Sequence, residues 1–173
     1  MTALIRIDRS LTPDTAPDRQ KPIRFCSRCG HPSEQPARHA ERFPRERVCV
    51  RCGMGLMLTC TRDALPGTAA AFLVVTFDLR LSAVSEAGEK IFGAEQSLVQ
   101  TPLLDVLSSP LGDDQLIRYT GQAAQRACEP VVLPVRLATE GAAEVGTMAA
   151  RIATCGPPRA ALITVEPSDF GKR

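Results

Sequence analysis

Long apolar runs are absent from this chain, and aromatic side chains are scarce. Its 173 residues contain no tryptophan, one tyrosine and six phenylalanines. No apolar run approaches the roughly 20 residues that span a bilayer, and the N-terminus has no apolar segment typical of secretory signal peptides. With 44% hydrophobic and 23% charged residues, the composition is that of an ordinary soluble protein. We therefore expect a cytoplasmic protein that does not enter a membrane.

Sequence motifs for catalysis are missing as well. The chain has no Gly-x-Ser-x-Gly, no His-Glu-x-x-His and no glycine-rich phosphate loop. The adjacent carboxylates of Asp113 and Asp114 are explained by capping at the start of a predicted helix. We therefore expect that the protein is not an enzyme.

Four of the seven cysteines form two matched Cys-x-x-Cys-Gly turns. The turns are Cys26 with Cys29, followed by Gly30, and Cys49 with Cys52, followed by Gly53. Nineteen residues separate Cys29 from Cys49, a spacing that lets both turns meet around one ion. Four thiolates are the tetrahedral set of a structural zinc site, and glycine after each pair suits a positive φ. The pattern predicts a structural Zn²⁺ bound by these four cysteines.

Other interpretations of the cysteines and histidines fit the sequence less well than a zinc site with four cysteine ligands. His31 or His39 would serve as a ligand only if one thiolate were missing, and the shell of four is complete. An iron site of the rubredoxin kind is disfavoured because the chain has no tryptophan and its single tyrosine, Tyr119, lies far from the turns. A redox dithiol fits one pair alone better than two. Cys60 is interpreted as a spare buried thiol, and Cys128 and Cys155 as structural.

The charge is unevenly distributed along the chain. Residues 1–62 carry 12 Lys and Arg against 6 Asp and Glu, a net charge of +6, whereas residues 63–173 carry 9 against 13, a net charge of −4. A basic head can contact nucleic acid, although a charged surface is also normal for a small module with little core. The candidate phosphate-contacting residues are Arg24, Arg28, Arg45, Arg47 and Arg51.

Short strands that enter cysteine turns, with a polar loop between them, resemble the zinc-ribbon family over residues 23–62. Residues 1–22 contain three prolines among polar residues and are predicted to be a flexible N-terminal segment. Residues 63–68, with Pro66-Gly67, are interpreted as a linker.

The body that follows alternates between strand and helix patterns. Residues 71–77 are a β-rich apolar run, and residues 80–85 are its predicted hairpin partner. Short helical turns are predicted at 86–93 and 102–107 and a longer helix at 112–128. Three more strands are predicted at 131–138, 145–154 and 160–165. The predicted order is β-β-α-α-α-β-β-β.

That order resembles the PAS family of sensory and dimerisation domains over residues 69–167. The residues that carry the resemblance are Asp78 at the end of the first strand, the second strand, and Glu-Ala-Gly-Glu-Lys-Ile-Phe-Gly at 86–93. The usual asparagine after the second strand is replaced by Ser85 or Glu86. The resemblance implies an α+β fold, a five-stranded antiparallel sheet with short helices on one face, followed by a tail at 168–173.

PAS domains often bind a cofactor, and three kinds are disfavoured here. Both histidines precede residue 40, so the body has no axial histidine for haem. Residues 86–127 contain no cysteine for a flavin or coumaroyl adduct.

We expect a signalling protein that binds a protein partner or itself, with a homodimer through the PAS-like domain as one form. Nucleic-acid binding through the ribbon and a small-molecule sensor remain the alternatives.

Overall fold

A small three-stranded antiparallel sheet forms the N-terminal part of the described structure. The computed structural model describes residues 16–33, 47–138 and 146–167. Strands β1 (Pro22–Cys26), β2 (Pro32–Ser33) and β3 (Met57–Thr61) pair in the order β2-β1-β3, so that β1 is central. We call this sheet with its two cysteine turns the ribbon. Helix α1 (Ala16–Arg19) precedes it, within the segment predicted to be flexible.

Several predictions fall on parts of the chain outside the described residues. They concern His39, Arg45, most of the flexible segment at 1–22 and the tail at 168–173. Within the described ranges, no helix has the length and apolarity needed to cross a membrane.

A six-stranded antiparallel sheet forms the body. Its strands pair in the order β5-β4-β9-β8-β7-β6. They are β4 (Ala71–Val75), β5 (Leu81–Val84), β6 (Leu107–Ser108), β7 (Val131–Leu137), β8 (Met148–Cys155) and β9 (Ala160–Pro167). The α+β prediction is confirmed, but the prediction of five strands is wrong. The extra strand, β6, pairs with Leu137 and Arg136, and its two residues are too few to show an alternating pattern.

Helices cover one face of the body sheet. They are α2 (Glu86–Phe92), α3 (Glu95–Leu98) and α4 (Asp113–Gln125), with a single 3₁₀ turn at Leu103–Asp105. A second 3₁₀ turn, Arg62–Ala64, lies on the opposite face, where Ala64 is buried in the same cluster as Phe25. Ser85 caps the start of helix α2, because its Oγ accepts a hydrogen bond from the N–H of Gly88 at 3.0 Å. The same Oγ accepts from the N–H of Phe72 at 2.9 Å, so one hydroxyl joins the sheet to the helix.

The ribbon covers the opposite face of the body sheet. Because side chains alternate along a strand, β4 and β9 present residues to both faces. Leu73 and Ile163 pack under the helices, whereas Phe72 and Leu162 pack against Phe25 of the ribbon. The rings of Phe25 and Phe72 meet edge to face, with centroids 5.9 Å apart and planes at 77°. Strands β4 and β9 are therefore buried on both faces.

Candidate metal centre

The two cysteine turns have the same backbone geometry. The N–H of Gly30 donates to the carbonyl of Cys26 at 3.0 Å, and the N–H of Gly53 donates to the carbonyl of Cys49 at 2.8 Å. Gly30 and Gly53 have φ values of +69° and +68°. These angles lie in the left-handed region that glycine adopts cheaply, which confirms the positive φ predicted after each pair.

The turns bring four sulfur atoms into one cluster. The Sγ atoms of Cys26, Cys29, Cys49 and Cys52 all lie within 4.8 Å of one another. The Cys26–Cys52 separation is 3.6 Å, and the Cys29–Cys49 separation is 3.9 Å. Four sulfurs on a tetrahedral ion with bonds of about 2.3 Å stand about 3.8 Å apart, whereas a disulfide requires about 2.05 Å. The four thiols therefore fit a single tetrahedral metal ion.

Backbone N–H groups point at two of these sulfurs. The N–H groups of Arg28 and Cys29 donate to the Cys26 Sγ, each at 3.4 Å, and the N–H of Gly55 donates to the Cys52 Sγ at 3.4 Å. Burial raises the pKa of Cys26 to about 12. Burial acts the same way on Cys52, but the N–H groups of Gly55 and Met54, together with hydrogen bonds from the thiols of Cys26 and Cys49, outweigh it and lower the pKa of Cys52 to about 7. A bound metal cation deprotonates a thiol ligand outright, so the N–H donors suit thiolates.

Gly55 lets the second turn approach the first. A Cβ at this position would collide with the Sγ of Cys26 and would stand 2.9 Å from the Cβ of Arg28. Beside it, the N–H of Ser27 donates to the carbonyl of Leu56 at 2.8 Å, and the N–H of Leu56 donates to the Ser27 Oγ at 3.0 Å. The role of Gly55 was not predicted, although a glycine three residues after Cys52 can be seen in the sequence.

The ligand shell is complete without a histidine. His31 lies beside Arg51, with its Nδ1 3.2 Å from the guanidinium, and not at the sulfurs. Cys60 is buried in the interface between ribbon and body, apart from the four-sulfur cluster. Among the described residues, no other group of three or more ligating side chains lies close enough together to hold a metal ion. Four thiolates leave no open position on a tetrahedral ion, so this centre is suited to holding structure rather than activating water.

Arg28 fixes the first cysteine turn to the body. Its guanidinium donates to Glu95 Oε2 at 3.1 Å and to Glu89 Oε2 at 3.4 Å, and its carbonyl accepts from the N–H of Glu86 at 2.8 Å. The Oε1 of Glu95 accepts from the N–H of Val84 at 3.0 Å, which joins this network to strand β5. The guanidinium predicted to contact phosphate is therefore held by two carboxylates of the body.

The other candidate phosphate-contacting arginines lie in different environments. Arg24 is buried in β1, with 3% of its surface exposed. Arg47 and Arg51 are exposed beside the second cysteine turn. Among the candidate arginines that the structure describes, Arg47 and Arg51 are the two that are exposed to solvent.

Apolar side chains are exposed around the second cysteine turn. They are Val48, Val50, Met54 and Leu56, and we call them the apolar tip. Val50 is 98% exposed and Met54 is 67% exposed. Sequence reasoning did not single them out. The available signal was four apolar residues within nine, in a turn whose interior is occupied by sulfur atoms.

Comparison with solved structures gives a distant likeness. No protein-family model matches the chain, and no curated protein matches it. A solved structure, the PAS domain of nitrogen regulation protein NR(II) from Vibrio parahaemolyticus, is 14% identical with a TM-score of 0.45, over 60% of this chain and 94% of that chain. This likeness does not establish a family, and the PAS-like assignment of residues 69–167 stays a prediction.

Proposed function

We propose that this protein is a non-enzymatic regulatory protein in which a zinc-bound ribbon and a PAS-like body act as one interaction unit. We infer zinc as the metal because four thiolates at tetrahedral separations match a closed structural zinc site. The zinc holds the two turns together, and Arg28 holds the first turn against α2. The second turn, on the far side of the cluster, is the part left to meet a partner.

The apolar tip is the observation that carries this proposal. A side chain such as Val50, exposed almost completely at the end of a rigid turn, has no role in the fold of one chain. Contiguous exposed apolar residues rimmed by charge mark protein-binding sites. Arg47 and Arg51 flank the tip and give it positive charge. The partner is therefore a protein surface with an apolar pocket edged by Asp or Glu side chains.

Nucleic-acid binding is the second candidate function, and the two exposed arginines favour it. Arg47 and Arg51 are free of the carboxylate pairing that holds Arg28, within the described residues. Two arginines neutralise two phosphates, which gives a slope of log affinity against log salt of only about −2. Such weak, salt-sensitive binding would accompany protein recognition rather than replace it.

A small-molecule sensor receives less support from the packing of the body. The space between the sheet and the helices is filled by aliphatic side chains such as Leu73, Leu116 and Ile163, each fully buried. Native mass spectrometry of the purified protein tests this alternative, because a retained ligand would add mass beyond one zinc ion.

Substitution of the apolar tip tests the proposed function. The zinc-loaded protein and its Val50→Glu variant are compared for the proteins that co-purify with each from the source cells, measured by quantitative mass spectrometry. Phe77→Glu is the matched control, because Phe77 is also exposed but lies in the hairpin between β4 and β5. We expect Val50→Glu to lose a partner that Phe77→Glu retains.

Two results would count against protein recognition by the tip. One is an unchanged set of partners for Val50→Glu. The other is binding of random-sequence DNA, measured by fluorescence anisotropy, that weakens with a salt slope much steeper than −2 and survives Val50→Glu. Self-association is read in parallel by sedimentation velocity, where loss of a dimer in Val50→Glu alone would identify a second copy as the partner.

A further inference from the structure

The ribbon and the body meet through a backbone bridge as well as through side chains. The N–H of Thr59 in β3 donates to the carbonyl of Gly156 at 2.5 Å, and the N–H of Gly156 donates back to the carbonyl of Thr59 at 3.0 Å. This exchange is an antiparallel bridge with both hydrogen bonds made. Gly156 directly follows β8, so the edge of the ribbon is hydrogen-bonded to the end of a body strand.

The register of that bridge places two cysteines opposite each other. In an antiparallel pair, the residues next to Thr59 and Gly156 are Cys60 and Cys155. They occupy a non-hydrogen-bonded position, where Cα atoms stand about 4.5 Å apart and side chains are closest. A disulfide requires Cα atoms between about 4.4 and 6.8 Å apart. The backbone at this crossing therefore suits a cross-strand disulfide.

Both thiols lie on the same side of the crossing. Cys60 and Cys155 belong to the same apolar cluster between ribbon and body, and each is at least 96% buried, with 4% and 3% of its surface exposed. Both are free thiols in the structure, and neither belongs to the four-sulfur cluster. They are therefore available to each other.

A groove gives a small reagent access to these thiols. Cys60 and Cys155 line a cavity of about 490 Å³ together with Pro22, Pro157 and the half-buried Cys128. The cavity is large enough for the sulfur end of a small thiol compound. Cys128 is the more accessible of the three thiols, which makes it the natural competitor in any reaction.

We propose that Cys60 and Cys155 form a reversible disulfide that fastens the ribbon to the body sheet when a small-molecule disulfide is in excess. The thiolate of one cysteine attacks the small disulfide, forms a mixed disulfide and releases one small thiol. The second cysteine attacks its neighbour's sulfur and releases the second small thiol. The two cysteines lose two electrons and two protons, and the small disulfide gains them as two thiols.

Burial makes this reaction slow at neutral pH. It raises the pKa of Cys60 to about 12, and it raises the pKa of Cys155 as well. Because the attacking species is the thiolate, the rate of closure should increase about tenfold per pH unit between pH 7 and pH 9. The link would therefore report prolonged oxidising conditions rather than brief ones.

Peptide mapping without reduction tests the proposal. The zinc-loaded full chain is incubated at pH 8 with excess oxidised glutathione, digested and analysed by mass spectrometry. We expect a cross-linked peptide that joins Cys60 to Cys155, four unmodified zinc-binding cysteines and one retained zinc. Closure should also raise the Tm by at least about 5 °C, since the link closes a long loop in the unfolded chain.

Variants separate this pair from its neighbour. Cys128→Ser should keep the Cys60–Cys155 link, and Cys155→Ala should lose it, leaving glutathione on Cys60 or Cys128. The wild-type chain in 6 M guanidinium is the folding control, where the preference for this pair should disappear. Oxidation confined to Cys128, a cross-link that includes Cys128, or the same products in folded and unfolded protein would overturn the proposal.

Discussion

Replacing Phe25 with alanine should lower the free energy of unfolding by about 3–5 kcal/mol. The ring of Phe25 is fully buried between the ribbon and the body sheet, so its removal leaves a cavity at the centre of that interface. Its edge-to-face contact with Phe72, at 5.9 Å between centroids, contributes about 0.5–1.5 kcal/mol of this loss. The rest is lost burial and the cavity itself.

Thermal unfolding of the zinc-loaded protein measures this loss. In a chain of this size each kcal/mol shifts Tm by about 2–4 °C, so Phe25→Ala should melt roughly 6–20 °C lower. Phe25→Leu keeps most of the apolar volume and loses the ring contact, and its cost should be about 1–1.5 kcal/mol. Phe77→Ala is the matched control, because Phe77 is 70% exposed and its removal should change stability by less than about 0.5 kcal/mol.

The order of stability of these three variants shows whether Phe25 is packed between the ribbon and the body sheet in solution. If Phe25→Ala is as stable as Phe77→Ala, the ribbon does not pack on the body sheet in solution. If Phe25→Ala and Phe25→Leu cost the same, the loss comes from the ring contact alone and the cavity argument is wrong.

Three further substitutions test the metal centre and its attachment. Gly55→Ala forces a Cβ into a sulfur ligand and should weaken zinc binding on the order of 10–100-fold in a chelator competition. The control Gly53→Ala, at φ +68° and with no atom within 4 Å of the added Cβ, should weaken zinc binding less than tenfold. Equal effects of the two substitutions would refute the close approach of the second turn to Cys26. Arg28→Ala should lower the free energy of unfolding in urea by about 1–2 kcal/mol, because two partly buried carboxylates lose their cation. Arg51 is exposed, so Arg51→Ala should lower it by less than about 0.5 kcal/mol. The reverse order would exclude attachment of the first turn through these ion pairs. Burial raises the pKa of Cys60 to about 12, whereas the unfolded thiol ionises near 9.0, so the unfolded state binds fewer protons than the folded state between these two pH values. The free energy of unfolding should therefore fall with rising pH by up to about 1.4 kcal/mol per pH unit more steeply in the wild-type protein than in Cys60→Ala. Parallel curves of stability against pH for the two proteins would contradict this.

The local features of the metal centre could be predicted from the sequence. The Cys-x-x-Cys-Gly turns are short-range, so spacing alone indicated which sulfurs converge and which glycines take a positive φ. The helix that starts after Ser85 and ends at Gly93 was predictable for the same reason, since a cap and a stop lie within eight residues.

The long-range features could not be predicted. Arg28 looked like a phosphate-contacting residue because Glu89 and Glu95, its partners, lie more than sixty residues away in sequence. The apolar run at 71–77 predicted a strand, but not that the ribbon covers one face of it. Strand β6 was missed because two residues carry no period.

X-ray absorption at the zinc edge of the purified protein tests the central claim most directly. The claim is that Cys26, Cys29, Cys49 and Cys52 together bind one zinc ion, as their mutual Sγ distances suggest. We predict one zinc per chain with four sulfur neighbours at about 2.3 Å and no lighter ligand. A nitrogen or oxygen atom in the first coordination shell, or a protein that binds no zinc, would contradict the account.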